Sequence, residues 1–296
     1  MTASGWELVG IPYTSMARAG GIADAIGVLR SAGLAERLAR LGVPDGGDLE
    51  LLGPDGTRGP SGLLSEPALA MLFERTRARV AEVRARGRRP LLVGGDCPVV
   101  LGALAALRDA GARPGLLMLD GHEDAWPPHA SQTGEASDSE VAIALGRVPA
   151  LPAPLGEAMP VLDASAIAMI GPRDRDEIEG AGVASLRDEV AFFADGRAAL
   201  AGHAGEMIAA ARGALDADAL WLHVDLDVLR EDALAAVDYP QPGGLPWARL
   251  DELAAAAARE PECAGVSVVI YNPELDPDRS GARSVAGFVA RLAGAH

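Results

Sequence analysis

The 296-residue sequence has no lysine; all 26 of its strongly basic side chains are arginine, against 42 aspartates and glutamates, for a formal net charge of −16. The missing lysine reads as genomic bias. The missing basic stripe matters more, because without one a nucleic-acid partner is not expected. Cysteine is almost absent too. Cys97 and Cys263 are too few for a disulfide framework and fit a reducing cytoplasm. No apolar run is long enough to span a membrane, and residues 1–6 lack the basic and apolar regions of a secretory leader.

What remains is an ordinary globular composition, 49% hydrophobic and 23% charged, long enough for a sizeable core. Strand-like runs alternate with helical ones. Residues 7–12, 90–95, 116–119, 166–171, 219–227 and 265–271 read as strands, with a short one at 49–52. Residues 23–40, 67–86, 99–110, 196–215, 246–260 and 284–293 read as helices, and a helix could start at 141–145. Several strands are continuous apolar runs. That pattern predicts a mostly parallel sheet covered on both faces. No linker or repeat divides the chain, so a single domain over residues 1–296 is expected.

Two acidic clusters stand where strands end. Asp120-Gly121-His122-Glu123-Asp124 follows one apolar run, and His223-Val224-Asp225-Leu226-Asp227 lies within another. Alternate strand residues share a face, so Asp120, His122 and Asp124 should project together while the geometry stays extended, as should His223, Asp225 and Asp227. Facing one another, these acids would repel strongly, and divalent cations are the ready remedy. A third strand runs into Gly94-Gly95-Asp96-Cys97. Ligand sites of open α/β sheets lie at such carboxyl ends.

These three motifs, in this order, resemble the arginase/agmatinase (ureohydrolase) superfamily, whose pattern is Gly-Gly-Asp-His, Asp-Ala-His-x-Asp and Ser-x-Asp-x-Asp. Gly10-Ile11-Pro12, Ile170-Gly171-Pro172-Arg173, Pro242-Gly243-Gly244-Leu245 and Asn272-Pro273 extend the resemblance over nearly the whole chain. It implies a three-layer α/β/α sandwich and two divalent metal ions, most often Mn2+. Cys97, Asp120, Asp124 and Asp225 would hold one metal, and His122, Asp120, Asp225 and Asp227 the other. A bridging hydroxide would be the nucleophile, with Asp124 placed to hold it. The resemblance also implies a small-molecule substrate and a homo-oligomer, trimer or hexamer.

Three departures bear on function. Cys97 replaces the family's histidine ligand, and a thiolate there would make Zn2+, Fe2+ or Co2+ possible. Ser137-Asp138 falls where the family carries a His-Gly pair used in proton transfer. His223 or His129 could substitute, and His223 is equally readable as a hydrogen-bond partner behind the metals. Ile270 replaces the glutamate that holds a guanidinium, and Trp126 and Glu135 fall where arginases carry asparagine. Glu135, Asp138 and Glu140 could meet a cation, although a solvated acidic loop is the commoner outcome for such a run.

The expected function is metal-dependent hydrolysis of a linear C–N bond in a modified guanidine, amidine, formimino or amide substrate, rather than simple arginase activity. Asp124 and His223 are the candidate catalytic residues. Trp126, Glu135, Ser137 and Ile270 are the candidate substrate contacts. Two alternatives remain open: a deacetylase-type amidohydrolase on the same fold, and a non-catalytic binding protein.

Overall fold

The apolar runs of the sequence pair side by side in one sheet. In the computed structural model, which describes residues 5–295, the strands are β1 (Trp6–Gly10), β2 (Asp45–Asp48), β3 (Arg89–Val93), β4 (Pro114–Leu119), β5 (Ile167–Ile170), β6 (Phe192–Ala194), β7 (Ala219–Asp225) and β8 (Cys263–Val269). Residues 1–4, on which the leader reading partly rests, lie outside the described residues. The strand order is β2-β1-β3-β8-β7-β4-β5-β6, and every pairing between these strands is parallel. β4, β7 and β8 are buried at every position. That burial is why they read as unbroken apolar runs rather than alternating ones.

The helices are α1 (Ala25–Ser31), α2 (Leu34–Arg40), α3 (Glu66–Ala85), α4 (Val99–Asp109), α5 (Glu140–Ala144), α6 (Leu155–Ala158), α7 (Arg175–Gly180), α8 (Gly196–Ala199), α9 (Ala204–Ala214), α10 (Trp247–Ala258) and α11 (Ser280–Ala293). α3 and α4 pack on each other and against the sheet; α9 packs on α10, α10 on α11, and α11 on α1 and α2. The result is the α/β/α sandwich. Among the described residues, no helix is long and apolar enough to cross a membrane.

Some boundaries differ from the sequence reading, for local reasons. The helix expected over 23–40 is two helices, because Gly33 takes φ 95° between α1 and α2. The helix expected over 196–215 is divided into α8 and α9, with Gly202 at φ 67° between them. Such left-handed backbone suits glycine and interrupts a right-handed helix. The strand expected at 49–52 lies instead at the exposed Asp-Gly-Gly-Asp of β2, held by backbone pairing to β1. β6, three residues at the opposite edge, carries too short an apolar signal to stand out.

What this fold positions is clear from the strand order. β3, β8, β7 and β4 are neighbours, and their carboxyl ends lead into Gly94-Gly95-Asp96-Cys97, Ile270, Asp225 and Asp120 respectively. Residues far apart in sequence therefore meet at one end of the sheet.

Candidate metal centre and substrate cleft

The turn after β3 sets the depth of the site. Gly94 and Gly95 have φ 89° and 69°, and a Cβ on Gly95 would stand 2.4 Å from the carbonyl oxygen of Ile11. Only glycine fits there, so the chain doubles back and carries Asp96 and Cys97 beneath the strand ends. Asp96 accepts hydrogen bonds from Ser15 N (2.7 Å), Ser15 Oγ and Cys97 N (3.0 Å). Burial raises its pKa to about 6 despite these donors. Cys97 is 1% exposed, and its Sγ donates to Asp225 Oδ2 at 2.9 Å. Burial pushes the thiol pKa well up, and the charges of Asp225 and Glu140 add to the effect.

The alternating-face expectation holds only where the strands last. β4 ends at Leu119, and Asp124 has φ 46°. Loop hydrogen bonds, not the pleat, bring this cluster together. Asp120 Oδ1 accepts from His122 N at 2.8 Å, and Gly121 N donates to Asp227 Oδ1 at 3.0 Å. On β7, His223 and Asp225 do share a strand face. Asp227 instead lies in a 3-10 turn over Leu226–Val228, where its N donates to Asp225 Oδ1 at 2.7 Å.

Within the site, His122 Nδ1 lies 2.9 Å from Asp227 Oδ2 and 3.9 Å from Asp120 Oδ1. Burial disfavours the imidazolium, but the Asp227 carboxylate outweighs it and raises the pKa to about 10. Burial alone would raise Asp227; His122 and the Gly121 N–H bring it below the usual range. Asp120, Asp124 and Asp225 behave oppositely. Burial first, and then the charge of Asp227 on Asp120 and Asp225 and of Glu140 on Asp124, hold their carboxyls well above the ordinary range.

A second residue group lies on the same floor. Glu140, at the start of α5, is 1% exposed, and among the described residues neither of its oxygens has a partner with good hydrogen-bond geometry, although its own backbone N–H and the Asp124 carboxyl lie close. The solvated-loop expectation therefore fails for Glu140, and for Glu135 as well, at 7% exposed. Both are drawn inward because the loop folds back over the sheet end. Trp126 N donates to the Asp138 carbonyl, and Val141 N to that of Asp124. His223 is fully buried and does not line the cleft. Its Nδ1 lies 2.6 Å from Ser267 Oγ, and burial lowers its pKa to about 3. A neutral imidazole sealed from the cleft suits holding a position rather than passing a proton to a departing group. His129 is exposed and also stands outside the cleft lining.

The cleft above this floor has a volume of about 750 Å³. Trp126, Glu135, Ser137 and Ile270, the four substrate contacts expected from the sequence, all line it. So do Asp96, Glu177, Asp238 and Tyr239, which sequence reasoning did not assign. Asp96 sat in a quoted motif and was open to assignment. Asp238 and Tyr239 lie in an irregular loop that gives no periodic signal. Burial, then the charges of Asp96 and Asp138, raise the Glu135 pKa to about 8. Among the described residues no arginine lines the cleft, and the hydroxyls of Ser131 and Thr133 both donate to Asp138 Oδ2, at 2.5 Å each.

A parallel α/β/α sheet with carboxylates, imidazoles and a thiol gathered at its central strand ends defines a ureohydrolase-type protein. The Arginase family model matches residues 6–294, and the chain belongs to that family. It is 31% identical to an arginase of Bacillus caldovelox over 178 residues, 58% of this chain and 59% of that one, so it spans under two thirds of that relative's length. It is 28% identical to a formimidoylglutamase of Chromobacterium violaceum, over 74% of this chain and 67% of the relative. The solved structure of Bacillus caldovelox arginase superimposes with a TM-score of 0.82 at 26% identity, covering 98% of both chains.

Proposed function

We infer that this chain is a metal-dependent hydrolase of a guanidino-type C–N bond whose substrate is a cation without a carboxylate. The acids at the floor fit divalent cations on their own chemistry. Asp120 Oδ2 is buried without a partner, and Asp120, His122 and Asp227 offer donor atoms within 4.8 Å of one another. Asp120, His122, Asp225 and Asp227, with Cys97 and Asp124, are the residues that would hold the ions. Bound there, divalent cations supply Lewis acidity and a water of lowered pKa.

The chain's own residues do the rest. Asp124, buried at the cleft floor, accepts a proton from the attacking water or holds that water in place. Ile270 presents an apolar surface at the reacting end, where the family's glutamate is missing, and excludes water there. The observation that carries the substrate class is the cleft lining. Asp96, Glu135, Asp138, Glu177 and Asp238 line it with no arginine, and the nearby Ser131 and Thr133 hydroxyls are already committed to Asp138. A substrate carboxylate would meet like charge there, whereas an ammonium or guanidinium would relieve it.

Guanidinoalkylamines and their α-carboxylated amino-acid counterparts separate the possibilities in a steady-state assay on the metal-loaded protein. A kcat/KM at least about tenfold higher for the amine, about 1.4 kcal/mol of discrimination, is expected. Equal or better turnover of the amino acid would remove the substrate reading. Urea-type products support guanidine cleavage; formamide released together with the parent amine would place the chain among formimino hydrolases instead.

A further inference from the structure

Two deeply buried groups have no task in the reading above. Glu140 on α5 is 1% exposed and His223 on β7 fully buried. Among the described residues, both Glu140 oxygens, His223 Nε2 and Asp120 Oδ2 find no partner with good hydrogen-bond geometry. Buried polar atoms are rarely left so, because each costs desolvation with nothing in return. The three residues that carry these atoms are nevertheless found together, with Cys97 beside them. Cys97 Sγ, an oxygen each of Asp120 and Glu140, and a ring nitrogen of His223 all lie within 4.8 Å of one another.

We propose that Cys97, Asp120, Glu140 and His223 form a four-ligand zinc site beneath the cleft floor, replacing the Cys97, Asp120, Asp124 and Asp225 set that resemblance assigns to the first metal. The proposal rests on the reading that the chain binds metal ions, and it changes which residues hold one of them. The donor set is one sulfur, one nitrogen and two oxygens. Zinc takes such ligands tetrahedrally at about 2.0–2.3 Å, so neighbouring donors around it stand roughly 3.3–3.8 Å apart. A set already within 4.8 Å reaches that by a contraction of at most about 1–1.5 Å. A soft thiolate favours zinc over the oxygen-preferring ions.

The surroundings of His223 fit the same role. Trp221 Nε1 donates to Ser267 Oγ at 3.0 Å, and His223 Nδ1 lies 2.6 Å from that oxygen. Ser267 Oγ can accept both. With Nδ1–H donating to it, the Nε2 lone pair is left toward Cys97, Asp120 and Glu140. Metal-binding histidines usually donate their other ring N–H to a fixed acceptor in this way. Each ligand also comes from a rigid place: the glycine turn after β3, the end of β4, the first turn of α5 and the middle of β7.

The test uses cobalt(II) as a spectroscopic probe in the full-length protein, stripped with chelator and reloaded anaerobically. The first equivalent is expected to give a thiolate-to-cobalt charge-transfer band and the intense visible absorption of four-coordinate cobalt. Cys97→Ser should abolish the charge-transfer band. Glu140→Gln and His223→Asn should each weaken binding of that equivalent about 10–100-fold and alter the visible spectrum, while Asp227→Asn leaves the charge-transfer band in place. If Glu140→Gln and His223→Asn bind as tightly as the parent with the same spectrum, the four-ligand site is overturned and the hydrolase reading stands. If the parent binds no cobalt, both fall. Circular dichroism checks folding, and should His223→Asn not fold, Glu140→Gln alone decides.

Discussion

The floor of the cleft holds two clusters that share Asp120 and are otherwise opposites. In the outer one, His122 and Asp227 form an ion pair at 2.9 Å, and Gly121 N supports Asp227. Each partner's shift favours its charged form. In the inner one, Glu140 and His223 Nε2 have no partner, and Cys97 spends its proton on Asp225. There the carboxyls and the thiol are all pushed toward their neutral forms. Apart from the shared Asp120, the outer cluster is satisfied by its own residues. The inner one is not, so a cation contributes most to stability there.

The largest effect should come from the residue common to both. Asp120→Asn is expected to lose metal from both clusters and to lower kcat/KM by several kcal/mol, about 10³-fold or more. Metal analysis together with the assay checks it, and retention of both ions would break the division drawn here.

A smaller effect of opposite sign should separate the clusters in metal-free protein. Asp227→Asn removes half of a buried ion pair and should lower the melting temperature by several degrees, roughly 1–3 kcal/mol. Glu140→Gln removes a crowded acid and should leave the metal-free melting temperature unchanged or raise it. Calorimetry after chelation measures both, and equal losses would erase the contrast.

The pH dependence follows from the same shifts. The inner acids are raised in the folded state, so their contribution is present at low pH and is lost as pH rises beyond the ordinary carboxylate range. Asp227 is lowered, so its contribution is present above that range and is lost as pH falls. His122, raised to about 10, contributes fully below the ordinary imidazole range and loses its contribution as pH rises through about 10. Chelated protein should therefore melt at lower temperature as pH is raised from about 5 to 8, and metal should flatten that slope. A slope unaffected by metal would contradict the assignment of strain to the inner cluster.

The mildest effect lies above both clusters. Glu135 holds its proton up to about 8 among neighbouring acids. KM for a cationic substrate should fall as pH rises through that value. Glu135→Gln should remove the dependence and, above about pH 8 where the native carboxylate is charged, raise KM about tenfold with little change in kcat, since a charge contact away from the reacting atoms acts on ground state and transition state alike.

The motif residues were legible because each stands at the end of an apolar run, where a charged group has few structural reasons to be. The parallel sheet was legible because strands buried on both faces lose their alternation. Three features were not. Glu140 read as part of an acidic loop, since only the folding of residues 126–141 over the sheet end buries it. His223 read equally as a cleft residue and as a hydrogen-bond partner behind the metals, since strand alternation gives the face but not the depth. Helix breaks at Gly33 and Gly202 depend on backbone angles that composition only hints at.

By itself, the sequence determined the strand-and-helix alternation, the family pattern and the identity of most donors, because these follow from local periodicity and short spacing. Tertiary structure decided which donors meet. Placing β3, β8, β7 and β4 side by side joins Cys97 to Asp225 across 128 positions and brings Glu140 and His223 under the same floor. Burial, and with it the cost of an unpaired charge, is a property of that assembly and of no single segment.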